Sequence, residues 1–156
     1  MIQKITPFLW FNDQAEEAAK FYTSIFKNSK IGAVVRYGDS GPGPKGSVLV
    51  VDFELEGQTF TALNGGPQFE FTQAVSLVVH CEDQKEVDYF WTKLISDGGE
   101  ESQCGWLKDK YGLSWQIIPN RMLELLKDPA KSDKMMKAMM PMKKIDLKTL
   151  EDAVAR

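Results

Sequence analysis

The sequence is short of the residues from which metal centres and disulfide frameworks are built. It has one histidine, His80, and two cysteines, Cys81 and Cys104, which lie 23 positions apart with no CxxC spacing. A disulfide scaffold needs more cysteines and a zinc site needs closer pairs. The two therefore read as reduced, partly buried thiols of a cytosolic protein. Positive charge is not in excess: 19 Lys and Arg against 22 Asp and Glu leave a net charge of −3. That excludes a broad attraction to phosphate backbones, and no nucleic-acid partner is expected. No apolar run approaches the roughly 20 residues that span a bilayer. The opening MIQKITPFLWF also lacks the long apolar segment and small-residue cleavage site of a secretion signal. A cytoplasmic protein with no membrane partner is expected. Nucleotide-binding glycine motifs are missing too. In GDSGPGPKGS, Lys45 precedes Gly46 and Ser47, whereas a phosphate loop needs Gly-Lys-Ser/Thr in that order. The stretch reads instead as a mobile loop, a flap at a pocket mouth.

What is present is a repeat. NDQAEEAAKFY (12–22) is echoed by EDQKEVDYFW (82–91), with Asp13, Gln14 and Glu16 matched by Asp83, Gln84 and Glu86, always 70 positions apart. In the first copy QKITPFLWF is an aromatic, branched strand. It runs into a helix that Asn12 or Asp13 can cap and that Glu16 and Glu17 favour electrostatically. IGAVVRYG reads as a strand, and SVLVVDFELEGQTFTALNGG as a hairpin turning at Glu56-Gly57-Gln58. In the second copy TQAVSLVVHCEDQ restarts the cycle. A helix follows with Val87, Phe90, Trp91, Leu94 and Ile95 on one face, then short strands in EESQCGWLKD and LSWQIIP, split by the turn at Lys110-Tyr111-Gly112. The spacing predicts two β-α-β-β-β modules from one duplicated unit, over about 1–66 and 73–119. Residues 120–156 have no counterpart and read as a helical extension, broken at Pro129 and Pro141.

A tandem of this length resembles the vicinal oxygen chelate superfamily, the glyoxalase and bleomycin-resistance folds. NGGPQFEFTQAVSLVV, EVDYFWTKL, CGWLKDKYGLSWQIIP and the Met-rich tail are similar to the PhnB-like family within it, often labelled demethylubiquinone methyltransferase-like. The resemblance implies an α+β fold in which each module curls its sheet into a half-barrel around a cavity, over residues 1–119, and a homodimer. Many members hold a divalent metal on inward-facing His, Glu or Gln. Carried over, those positions fall on Pro7, near Asn64, on or beside Ala74, and on Gln116. Proline and alanine side chains cannot bind a metal, and neutral amides are weak ligands, so no metal and no cofactor are expected.

The pocket candidates are Asn64, Ser76 and Gln116 as polar groups, which either bond one another or orient a ligand, with Leu9, Phe11 and Trp106 as apolar wall. The functional expectation is a small molecule bound without the usual metal. A metal-dependent lyase or dioxygenase using His80 and Gln116 is the alternative. A third reading gives the tail an interaction role: Met135, Met136, Met139 and Met140 are spaced to share a helix face. The methyltransferase label has no support in the residues.

Overall fold

A computed structural model describes residues 2–156. Their contacts divide the chain into two compact units, one ending at Glu70 and the other Phe71–Arg156.

The first unit runs β1 (Phe8–Phe11), α1 (Ala15–Ile25), β2 (Lys30–Arg36), β3 (Val48–Leu55) and β4 (Gln58–Asn64). Its sheet has the order β1-β4-β3-β2, with β1 parallel to β4 and the other pairs antiparallel. The period of two along β3 and β4 puts Val51, Phe53, Leu55, Phe60 and Ala62 on one buried face. Helix α1 covers that face with Ala15, Ala18, Ala19, Tyr22 and Ile25; the small alanines let helix and sheet approach closely. Tyr22, Phe53 and Phe60 stack in series, with ring centroids 6.0 and 5.4 Å apart. The β3–β4 hairpin closes in two residues, Glu56 and Gly57, both at positive φ, the turn that matches strand twist.

The second unit repeats the order: β5 (Ser76–Cys81), α2 (Gln84–Leu94), β6 (Glu100–Glu101), β7 (Trp106–Lys108) and β8 (Ser114–Pro119). Its sheet, β5-β8-β7-β6, again has its outer parallel pair, and Cys81 opposite Pro119 corresponds to Phe11 opposite Asn64. The second module is more tightly connected and has no counterpart to the 38–47 loop. Its helix begins as read from the sequence, with the Asp83 carboxylate accepting the Glu86 N–H at 2.9 Å. The first helix does not. The side chains of Asn12 and Asp13 do not cap it. Instead Oδ1 of Asn64, at the end of β4, accepts the Ala15 N–H at 2.8 Å.

The extension folds into α3 (Asn120–Lys127), α4 (Ser132–Met139) and α5 (Leu147–Val154), and it belongs to the second unit. Met122, Leu125, Met135, Ile145 and Leu150 bury themselves together with Ile118 of β8. Gln84 of α2 pins the extension at two points, donating to the Ile145 carbonyl at 2.9 Å and accepting the Leu147 N–H at 2.7 Å. Lys144 adds an ion pair to Asp88 at 2.8 Å. Its ammonium, and then the Gln84 amide, hold the Asp88 carboxyl below its ordinary range. The ion pair therefore adds its full stability above that ordinary range and loses it as the pH falls below the range, through the lowered folded-state value. The methionine stripe divides. Met135 is buried and Met139 packs on the same cluster, whereas Met136 and Met140 are exposed. Among the described residues no helix is long and apolar enough to cross a membrane.

Candidate functional site

In the first module, residues of β1 alternate between two faces. Leu9 and Phe11 are 7% and 3% exposed and share the buried face of Ala62 and Val51. The wall expected from them is supplied by their neighbour Trp10, paired with Leu63 on the opposite, open face. The Trp10 ring is held at its rim: Nε1 donates to the Gly66 carbonyl at 2.9 Å, and Phe69 meets it edge-on at 4.9 Å. A Cβ on Gly65 would lie 2.4 Å from the indole, so only glycine fits there. Above this plate is an open chamber of about 520 Å³ bordered by Trp10, Leu49, Leu63, Arg36, Tyr37 and the loop from Gly38. A second recess of about 670 Å³ opens by the start of α1, beside Asn12, Asp13, Glu16, Glu17 and Asn64.

Tyr37 lines both recesses, together with Pro42 and Gly65. Its hydroxyl donates to the Asn64 carbonyl at 3.0 Å. Cβ atoms on Gly41 and Gly43 would come within 2.5 and 2.4 Å of the Tyr37 ring, so the loop rests on that ring through its glycines. Its ends are tied by Tyr37 N–H to the Ser47 carbonyl and Gly46 N–H to the Tyr37 carbonyl, each 2.8 Å.

In the second module, register places Val78, Gln116 and Trp106 side by side across β5, β8 and β7, with Ser76 opposite Ser114 on the same face. Three of the expected pocket residues are thus brought together on one sheet face. Gln116 Nε2 donates to Ser76 Oγ at 2.9 Å. Ser114, which sequence reasoning passed over, is fully buried, and among the described residues its hydroxyl has no hydrogen-bond partner. Its spacing two residues before Gln116 was the available signal, because a strand repeats its face every two residues. Beyond Gln116 the same face continues to Ile118, where the tail cluster closes it. His80, opposite Ile118, is exposed. Its neighbour Cys81 is fully buried. Burial, then the charges of Glu86 and Asp83, push the Cys81 thiol up to about 12; it is not a poised nucleophile.

The metal-ligand positions implied by the resemblance do not form a donor set. Pro7 contributes a backbone carbonyl to the Thr61 N–H, and Ala74 has no donor side chain. Both ends of the Asn64 amide are engaged: Oδ1 caps α1, and Nδ2 donates to the Val48 carbonyl at 3.1 Å. Gln116 is turned to Ser76. Among the described residues no group of three or more His, Cys, Asp or Glu is placed to hold an ion. The residues do not fit a divalent centre of the superfamily's kind.

A family model described as 3-demethylubiquinone-9 3-methyltransferase matches residues 3–118. The PhnB protein of Bacillus cereus, a proposed 3-demethylubiquinone-9 3-methyltransferase, is 43% identical with a TM-score of 0.68, over 75% of this chain and 99% of that one. Protein PA1353 of Pseudomonas aeruginosa is 19% identical with a TM-score of 0.62, over 76% and 98% of the two chains. The genomically encoded fosfomycin resistance protein FosX of Listeria monocytogenes, solved with Mn(II) and sulfate, is 17% identical with a TM-score of 0.54, over 81% and 98%. These last two likenesses are of fold alone. No curated protein matches the sequence. By its motifs, its paired β-α-β-β-β modules and the span of these matches, the chain belongs to the 3-demethylubiquinone-9 3-methyltransferase family, the PhnB-like group.

Proposed function

We propose that this protein binds a small molecule on the open face of its second sheet, without a chelated metal, as a cytoplasmic homodimer. The observation that carries the reading is the Ser76–Gln116 pair, two part-buried polar groups brought together on that face. Ser114 lies fully buried beside them, so Ser76 and Gln116 are the groups that a ligand can reach. Trp106 supplies an apolar flank in register with Gln116, so the patch offers both orientation and contact area. For the homodimer, the support is strand β2, an edge strand with Val34 and Val35 exposed.

Methyl transfer from a nucleotide-like donor is a poorer reading. Such cofactors sit where parallel strands deliver a glycine-rich turn into a helix. Here β1 enters α1 through Asn12-Asp13-Gln14, and β5 enters α2 through Glu82-Asp83, with no glycine to admit a phosphate.

The test is a thermal-shift screen of the whole protein against small metabolites, followed by titration of each hit. At 100 times its Kd a ligand adds about 2.7 kcal/mol of stability. At least one metabolite is expected to raise the melting temperature, with Gln116→Ala weakening it roughly tenfold, or about 1.4 kcal/mol. Hits whose affinity is the same in Gln116→Ala and Ser76→Ala would remove this site, and a screen with no hit would remove the proposal.

A further inference from the structure

The chamber over Trp10 differs in character from the Ser76–Ser114–Gln116 patch, and all its residues lie in the first module. Its floor is apolar: the indole of Trp10 with Leu49 and Leu63. The ring cannot swing aside, because Gly65, the Nε1–Gly66 bond and Phe69 fix its rim. Two charged residues line the chamber, Arg36 and Asp39. Asp39 is paired with Lys45 at 3.1 Å. Arg36 gives one N–H to the Gly46 carbonyl at 3.0 Å and stands 4.0 Å from Glu16. A guanidinium carries five donors in a planar fork, so most of its capacity is still free. One side is the glycine-rich loop, seated on Tyr37 as described.

We infer that this chamber is a binding site for a small planar apolar molecule carrying one carboxylate. The aromatic plate takes the ring by stacking, and Arg36 takes the carboxylate by a charge-assisted, two-pronged hydrogen bond. A cationic ring compound of the same shape is disfavoured, because its head would face the guanidinium. The loop borders the ligand, and its seat on Tyr37 sets the width of the recess. The site is independent of the second-module reading, and either can fail without the other.

Indole-3-acetate and tryptamine share one ring and carry opposite charges, which makes them the probes. Isothermal titration of the whole protein is expected to find one indole-3-acetate per chain and no measurable tryptamine binding. Arg36→Gln should weaken indole-3-acetate roughly tenfold or more, as loss of a bidentate charged pair does. Arg36→Lys keeps the charge but loses the fork, and should fall between; it also serves if the glutamine variant folds poorly. Gly43→Ala, which drives the loop off Tyr37, should weaken binding as well, whereas Gln116→Ala should leave it unchanged. Tryptamine binding as tight as the acid, affinity unchanged by both Arg36 variants, or no indole-3-acetate binding at millimolar concentration would each overturn the assignment.

Discussion

Replacing Asp109 with alanine is expected to cost roughly 3–5 kcal/mol of stability, the range for stripping a buried, hydrogen-bonded charged group from its partners. Asp109 is 2% exposed. Its Oδ1 accepts the N–H groups of Tyr111 and Leu113 at 2.9 and 3.1 Å, and its Oδ2 accepts the indole N–H of Trp115 at 2.9 Å. The backbone closes the same turn: Asp109 N–H reaches the Leu113 carbonyl, and Gly112 N–H the Asp109 carbonyl, both at 2.9 Å. One carboxylate therefore fixes the β7–β8 connection and the rotamer of a tryptophan in the module's core. Alanine takes the carboxylate acceptor from two buried donors, Leu113 N–H and the Trp115 indole N–H, and from the part-buried Tyr111 N–H. Asparagine keeps Oδ1 but turns an NH₂ toward the Trp115 N–H, so about 1–3 kcal/mol is expected for it. Urea unfolding followed by tryptophan fluorescence measures both. An alanine variant within 1 kcal/mol of the parent would contradict this role.

Ending the chain at Pro119 is expected to abolish cooperative folding of the second module. The cut removes five of the six members of the buried cluster and leaves Ile118 uncovered. It also strips the acceptors that the 142–143 segment offers to Cys104 N–H and Gly105 N–H, each at 2.8 Å. Both partners of Gln84 in the tail go as well. A milder probe within the whole chain is Leu150→Ala, at a fully buried position, where about 2–5 kcal/mol is expected for the cavity and the lost burial. Near-UV circular dichroism and dye binding to exposed apolar surface read the truncated protein. A soluble truncated chain with native near-UV bands and a melting temperature within a few degrees of the parent would show that the tail is dispensable.

The parts of this architecture that were legible in the sequence are those written locally. The duplicated Asp-Gln-x-Glu stretch gave the two modules, and the Asp83 cap sits next to the helix that it closes. Cross-module identity in sequence became identity of sheet order because each copy carries the same strand and helix periods. What was not legible is written at long range. Asn64 reaches across 49 positions to cap α1, and no nearby residue signals it. Strand β1, FLWF, is apolar on both faces, so its parity cannot be read; the side chain lining the chamber is Trp10, between the two residues expected there. Adjacent methionines on α4 look like one stripe, but i and i+1 are about 100° apart around a helix, enough to bury Met135 and expose Met136. Ser114 looks like ordinary strand filler until its burial leaves a hydroxyl without a partner among the described residues.

Pro7, Asn64, Ala74 and Gln116 are expected to hold no divalent metal. Elemental analysis of protein purified without chelators tests it directly, with Gln116→Ala prepared in parallel. Metal well below one ion per chain, unchanged by the substitution, is the expected result. One ion held per chain and released on Gln116→Ala would contradict the account.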